Sequence, residues 1–159
     1  MSTTESRLAA YGICMDGDRV LLAHWVNPDG GGNWTLPGGR VEHGEDPIDT
    51  VVRELAEETG LDGVVERLLG VDSRVIVSAE RHRGGPDLHN IGVFYELRVT
   101  GGELRPEPDG PTSESAWTRL DEVAGLVRSS LVDVGLDLAR TRPPTGHVTP
   151  VPVSGRLRH

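Results

Sequence analysis

A single cysteine, Cys14, in 159 residues excludes an intramolecular disulfide. Its apolar neighbours read as the setting of a buried thiol and not of a nucleophile. No apolar run reaches the length of a membrane-spanning helix. The opening stretch MSTTESRLAAYG has no apolar signal segment, so the expected location is the cytoplasm. Basic residues are outnumbered: 16 Lys and Arg against 25 Asp and Glu leave a net charge of −9. That balance speaks against general nucleic-acid binding, which needs a basic surface for phosphates. It does not exclude a small phosphorylated substrate, because a bound cation inverts the local field. His24, His43 and His147 show no triad spacing and read as solvated or packing residues, and no internal repeat is visible. The length suits one domain able to bury a core without staples. Its expected extent is residues 1–140, followed by a loose tail of Pro, Gly and polar residues over 141–159.

Hydrophobic patterning predicts strands over Arg7–Met15 and Arg19–Trp25, joined by the hairpin turn Asp16-Gly17-Asp18. A Gly-rich loop is expected over Asn27–Asn33 and a short strand over Trp34–Pro37. Further strands are expected over Val64–Val77 (interrupted near Gly70–Asp72), Ile91–Thr100 (followed by a Gly101-Gly102 turn) and Ser115–Arg119. The stretch Asp121–Arg140 reads as a second helix, with Gly125 or Gly135 as candidate breaks. A hairpin plus separated helices fits a mixed α/β layered domain.

What is present in quantity is acid at helical spacing. In GGRVEHGEDPIDTVVRELAEETGL, Asp46-Pro47 offers an N-cap and a first helical position, and Gly60 a left-handed stop. Ile48, Val51, Val52, Leu55 and Thr59 form an expected buried stripe. Glu54, Glu57 and Glu58 fall mainly on the other side, three and four residues apart, so their carboxylates share a face. Taken alone the triplet reads equally well as a solvated surface, with Arg53 and Glu57 as an i, i+4 pair. Converging carboxylates are also what a hard divalent cation such as Mg²⁺ favours, commonly with a substrate phosphate as a further ligand.

The context weights the second reading. From Gly39 the chain runs through Glu45, Arg53-Glu54-Leu55 and Glu57-Glu58 to Gly60-Leu61. This resembles the signature of the Nudix hydrolases at every defined position. The flanks WTLPGG and SAWTRLDEV are similar to the family too, so the likeness spans most of residues 10–135. The resemblance implies an α/β/α sandwich with a mixed sheet and hydrolysis of a pyrophosphate bond with Mg²⁺ or Mn²⁺. The substrate would be a small nucleotide, a nucleoside diphosphate linked to another group.

It also implies roles. Glu57 and Glu58 are expected metal ligands, and Glu54 a further ligand or the base that deprotonates water. A backbone carbonyl of the glycine pair, Gly38 by our choice, would join the metal shell. Arg53, with Glu45, would orient the carboxylates through its planar fork. One more carboxylate often comes from a loop ahead of the late Trp. Glu107, Asp109 and Glu114 qualify here, and Glu114 is preferred for its place before Trp117.

The segment Ser78–Asn90 is polar and locally basic (Arg81, His82, Arg83, His89), and Arg81 and Arg83 are expected to bind substrate. Trp25 and Trp34 flank the glycine loop and are candidates for stacking on a base or for packing, whereas Trp117 reads as structural. ADP-ribose enzymes of the family often carry a Pro at a position that falls near Val75–Val77 here. Its absence points away from that class, yet ADP-ribose and related dinucleotides stay open beside nucleoside triphosphates, including oxidised ones. Dimers are common in the family, which leaves room for a homodimer. The rival reading is a nucleotide-sensing module without catalysis; such modules usually lose box glutamates, and none is lost here.

Overall fold

The computed structural model describes residues 4–149 apart from His82. Met1–Thr3, His82 and the end of the expected tail, 150–159, lie outside the described residues. Strand β1 (Thr4–Asp16) turns at Gly17 into β2 (Arg19–Val26), as the hairpin signal predicts, with Asp16 opposite Arg19. Two short strands follow, β3 (Gly32–Thr35) and β4 (Gly38–Arg40), then helix α1 (Pro47–Thr59). Strands β5 (Leu61–Ile76) and β6 (Asp87–Gly102) come next, then β7 (Thr112–Arg119) and helix α2 (Ser130–Thr141).

The seven strands form a mixed sheet in the order β3-β2-β1-β6-β5, with β4 pairing β1 and β7 pairing β2. Strands β1 and β6 run parallel, from Thr4–Asp87 to Cys14–Leu97. Side chains alternate across a strand, and β1 uses both faces. Ala9, Tyr11 and Ile13 enter a core with Phe94, Leu131, Val132 and Leu138, whereas Ala10 and Cys14 enter another with Val51, Leu55 and Leu97. One helix therefore covers each face, which gives the expected α/β/α sandwich. Trp34 packs against the first core and Trp117 against the second. No helix among the described residues is long and apolar enough to cross a membrane.

Several elements differ from the sequence reading, each for a local reason. The second helix does not begin at Asp121: Leu120–Gly125 is a 3₁₀ segment, and α2 starts only after Ser129, whose side chain accepts the Leu131 N–H. The break thus falls after Gly125. Gly135 stays helical, because a Cβ there would stand 2.7 Å from the Leu36 Cδ1 and 3.1 Å from the Ile13 Cδ1. It lets α2 approach the sheet. Strand β5 is continuous, and its expected interruption appears as register shifts between Val65 and Arg67 and between Leu68 and Gly70. Strand β6 starts at Asp87, so Asp87–Asn90 belongs to the sheet and not to a loop. After α2 the chain returns to β5: the Gly146 carbonyl accepts the Val71 N–H at 2.9 Å, and Val148 packs against the α2-side core.

Candidate functional site

Helix α1 is built as its sequence demands. Asp46 caps it by accepting the Ile48 N–H, Pro47 opens it, and Gly60 closes it at a positive φ of 82°. The buried residues are Thr50, Val51, Leu55, Glu58 and Thr59. Glu58, expected on the opposite side, thus shares the buried face, and Val52, expected in the stripe, is half-buried. Ile48, expected in the stripe, is 42% exposed.

The three glutamates differ sharply. Glu58 is buried, at 7% exposure, and accepts the Gly38 N–H at 3.1 Å. The Glu54 side chain is 16% exposed and that of Glu57 52%. Burial, then the Glu54 carboxylate beside it, pushes the Glu58 carboxyl well above the usual carboxylate range. A Cβ on Gly39 would stand 2.8 Å from Glu54 Oε1, so the glycine pair is where the backbone admits these carboxylates. Gly38 has a φ of 151°, and any side chain there would strike the Ala10 carbonyl.

Arg53 organises the outer ring. Its Nε and Nη2 bind Glu45 Oε2 and Oε1 at 2.8 and 2.9 Å, while its Nη1 reaches Glu54 and Glu57, both at 3.1 Å. Glu45 also accepts from the Thr50 hydroxyl at 2.6 Å. The Arg53 hydrogen bonds, then that of Thr50, hold the Glu45 carboxyl down at about 2. The bonds to Glu45, in turn, raise Arg53 above its ordinary value. Among the described residues no three His, Cys, Asp or Glu side chains are arranged to hold a metal ion as they stand: Glu57 is turned to solvent with Arg53. The donors nevertheless suit a hard divalent cation, since a buried carboxylate faces a second carboxylate with only one N–H and one guanidinium edge to offset them.

These groups line a cleft of about 550 Å³ that also takes in Arg7, Tyr11, Trp25, Asn33, Arg81 and Arg83. Arg81 lies in it but is engaged, with Nη1 at 2.8 Å from Glu5 Oε2 and 2.6 Å from the Pro86 carbonyl. Arg83 is exposed and has no partner among the described residues. Glu114 is not brought to the cleft: it stands exposed on β7 opposite His24. The loop carboxylate that does line it is Glu107, held by the Thr112 N–H at 3.0 Å. Trp25 lines the cleft, while Trp34 packs on His24 with ring centroids 4.9 Å apart. Cys14 is buried and its thiol is pushed up to about 12 by burial, in keeping with an inert core residue.

Arg7, Tyr11 and Asn33 escape a reading by local sequence. Arg7 and Tyr11 come from β1 and Asn33 from β3, and only strand pairing shows that they meet the box. Asn33 is 6% exposed yet lines the cleft.

Comparisons with known proteins place the chain in a family and a fold. The NUDIX domain family model matches residues 5–134. An ADP-ribose pyrophosphatase of Methanocaldococcus jannaschii is 40% identical over 107 residues, which is 67% of this chain and 59% of that protein. An oxidized purine nucleoside triphosphate hydrolase of Mus musculus is 32% identical over 123 residues, 77% of this chain and 71% of that protein. Among solved structures, a NUDIX hydrolase from Nitrosomonas europaea superposes with a TM-score of 0.72 at 21% identity, covering 86% of this chain and 90% of that one. The chain thus spans less than two thirds of the archaeal relative's length.

Proposed function

This chain belongs to the Nudix family, and from that premise we propose that it is a pyrophosphohydrolase of nucleoside diphosphate derivatives, dependent on Mg²⁺ or Mn²⁺. The observation that supports this most is the buried Glu58 carboxylate next to Glu54, seated on the Gly38 N–H beneath an open cleft. Burial beside Glu54 disfavours the charged form of Glu58, and a cation bound between the two would offset that cost.

In this reading Glu58, Glu54 and the Gly38 carbonyl would hold the metal, with Glu57, half-exposed beside Arg53, as a further ligand. The metal, when bound, lowers the pKa of water and neutralises phosphate oxygens. Glu54 or Glu107, which both line the cleft, would accept a proton from the attacking water. Arg53 keeps Glu54 oriented while Glu45 keeps Arg53 oriented. The cleft would align the anhydride for attack.

For the substrate, the archaeal relative's name favours ADP-ribose, while the murine relative's name and the missing Pro near Val75–Val77 favour a nucleoside triphosphate. A panel of both classes, assayed with Mg²⁺ for the products released, separates them. Tight binding without turnover throughout the panel would instead support the sensing module. We further infer a cytoplasmic, small-molecule enzyme, with a homodimer as the assembly to test by light scattering.

A further inference from the structure

The cleft has a second, cationic end. Arg7 on β1, Asn90 on β6 and Arg74 on β5 stand directly opposite one another in one row across the sheet. Asn90 is buried; its Oδ1 accepts from Arg7 Nε at 2.7 Å and its Nδ2 donates to the Tyr11 hydroxyl at 3.2 Å. With Nε tied down, the Arg7 guanidinium is held at that row. Among the described residues it makes no ion pair and no other hydrogen bond, which leaves both Nη nitrogens available.

Arg74 donates through Nη1 to the Ser130 hydroxyl, at the start of α2, while its Nε is buried without a partner among the described residues. Burial lowers its pKa, and Asp72 and Glu80 act on it only through space. The acid nearest Arg7 in the chain, Glu5, is engaged by Arg81. Two half-buried guanidiniums thus share a row with no carboxylate in contact. Buried charge is normally paired, and leaving it unpaired is costly. Arg7 lines the cleft with Tyr11, Ile76, Leu88 and Leu131, so a partner would arrive through the cleft.

Where along the substrate that partner sits follows from strand geometry. Gly38 pairs with Tyr11, and Arg7 lies four residues back along β1. At about 3.3 Å per residue the two levels are roughly 13 Å apart. A pyrophosphate lying at Gly38 and Glu58 is thus centred away from the Arg7 row, and the Tyr11 hydroxyl on Asn90 links the two levels.

We propose that Arg7 binds an anionic group, a phosphate or a carboxylate, carried on the part of the substrate remote from the hydrolysed anhydride. Asn90 and Tyr11 set its orientation, and Arg74 adds positive field from behind. The identity of the rest of the substrate rests on the pyrophosphohydrolase reading; the anion subsite does not.

The test is titration calorimetry on the full chain in EDTA with two matched pairs: an adenosine bisphosphate against AMP for phosphate, and UDP-glucuronate against UDP-glucose for carboxylate. A fixed guanidinium-to-anion contact predicts about tenfold tighter binding of the charged member of at least one pair. Arg7→Lys should keep part of that preference and Arg7→Gln none. A wild-type protein without preference in either pair, or an Arg7→Gln variant that retains it in full, overturns the proposal. If Arg7→Gln lowers the melting temperature, Arg7→Lys decides, because a full tenfold preference there excludes a role for the fork. A wild type that shows the preference but releases no product with Mg²⁺ keeps the subsite and loses the hydrolase reading. Product release without preference does the reverse.

Discussion

Arg53 and Glu45 meet as two planar forks, Nε to Oε2 at 2.8 Å and Nη2 to Oε1 at 2.9 Å, and this leaves Nη1 to hold Glu54 and Glu57. The pair joins the loop before α1 to the carboxylates on it. A Lys at this position keeps charge but cannot bridge three acids at fixed angles. Arg53→Lys should therefore lower kcat on the order of 10–100-fold while the protein stays folded at the assay temperature. Steady-state kinetics beside a thermal melt check this, and an unchanged kcat would remove Arg53 from the site.

The same fork makes a pH prediction. Glu45 has a folded pKa of about 2, below its ordinary 4.5. A depressed folded pKa means stability that is present above the unfolded value and lost as pH falls from about 4.5 towards 2. Glu45→Gln should melt below wild type at neutral pH, and the two curves should converge in that acid window. Parallel melting curves across the window would contradict the assignment.

Glu58 has the opposite sign. Burial beside Glu54 raises its pKa, so its favourable contribution is present below pH 4.5 and lost as pH rises through the folded value. Without metal, Glu58→Gln should match or exceed the wild-type melting temperature at neutral pH. With Mg²⁺ only the wild type should gain stability. Equal Mg²⁺ shifts in both proteins would place the ion elsewhere.

Gly135 sets the spacing of α2 on the sheet. Gly135→Ala gains up to about 1 kcal/mol of helix propensity, but the new methyl meets Leu36 at 2.7 Å, and overpacking costs about 1–3 kcal/mol. The clash should win, and urea unfolding should show a lower midpoint. A higher midpoint would mean that α2 can shift outward freely.

Two loop carboxylates should separate cleanly. Glu107→Ala should impair turnover or alter its metal dependence, because Glu107 lines the cleft. Glu114→Ala should change neither, because Glu114 faces solvent on β7. Rates measured against Mg²⁺ concentration distinguish them, and the reverse result would exchange their roles.

Much of this was legible in the chain because local rules suffice for it. Asp46, Pro47 and Gly60 delimit α1, and the 3.6-residue period separates Leu55 from Glu54. The hairpin at Gly17 is likewise a local signal. Legibility failed where distant contacts decide. Gly135 reads as a helix breaker until Leu36 and Ile13 are seen against it. Glu114 is nearer Trp117 in sequence, yet the turn before β7 brings Glu107 to the cleft instead. Nothing local to Arg81 shows that Glu5, on β1, holds it. The row Arg7–Asn90–Arg74 exists only through the β1–β6–β5 register, which no local pattern reports.

Product release with Mg²⁺ from ADP-ribose and from nucleoside triphosphates, by wild type and by Glu57→Gln, tests the central claim most directly. Glu57 is 52% exposed, so the change should leave the fold and melting temperature intact and isolate chemistry from structure. The expected result is turnover in wild type that EDTA abolishes and that the variant loses by orders of magnitude. Turnover by Glu57→Gln equal to wild type, or no product from wild type on any substrate, would contradict a metal-assisted hydrolysis at these glutamates.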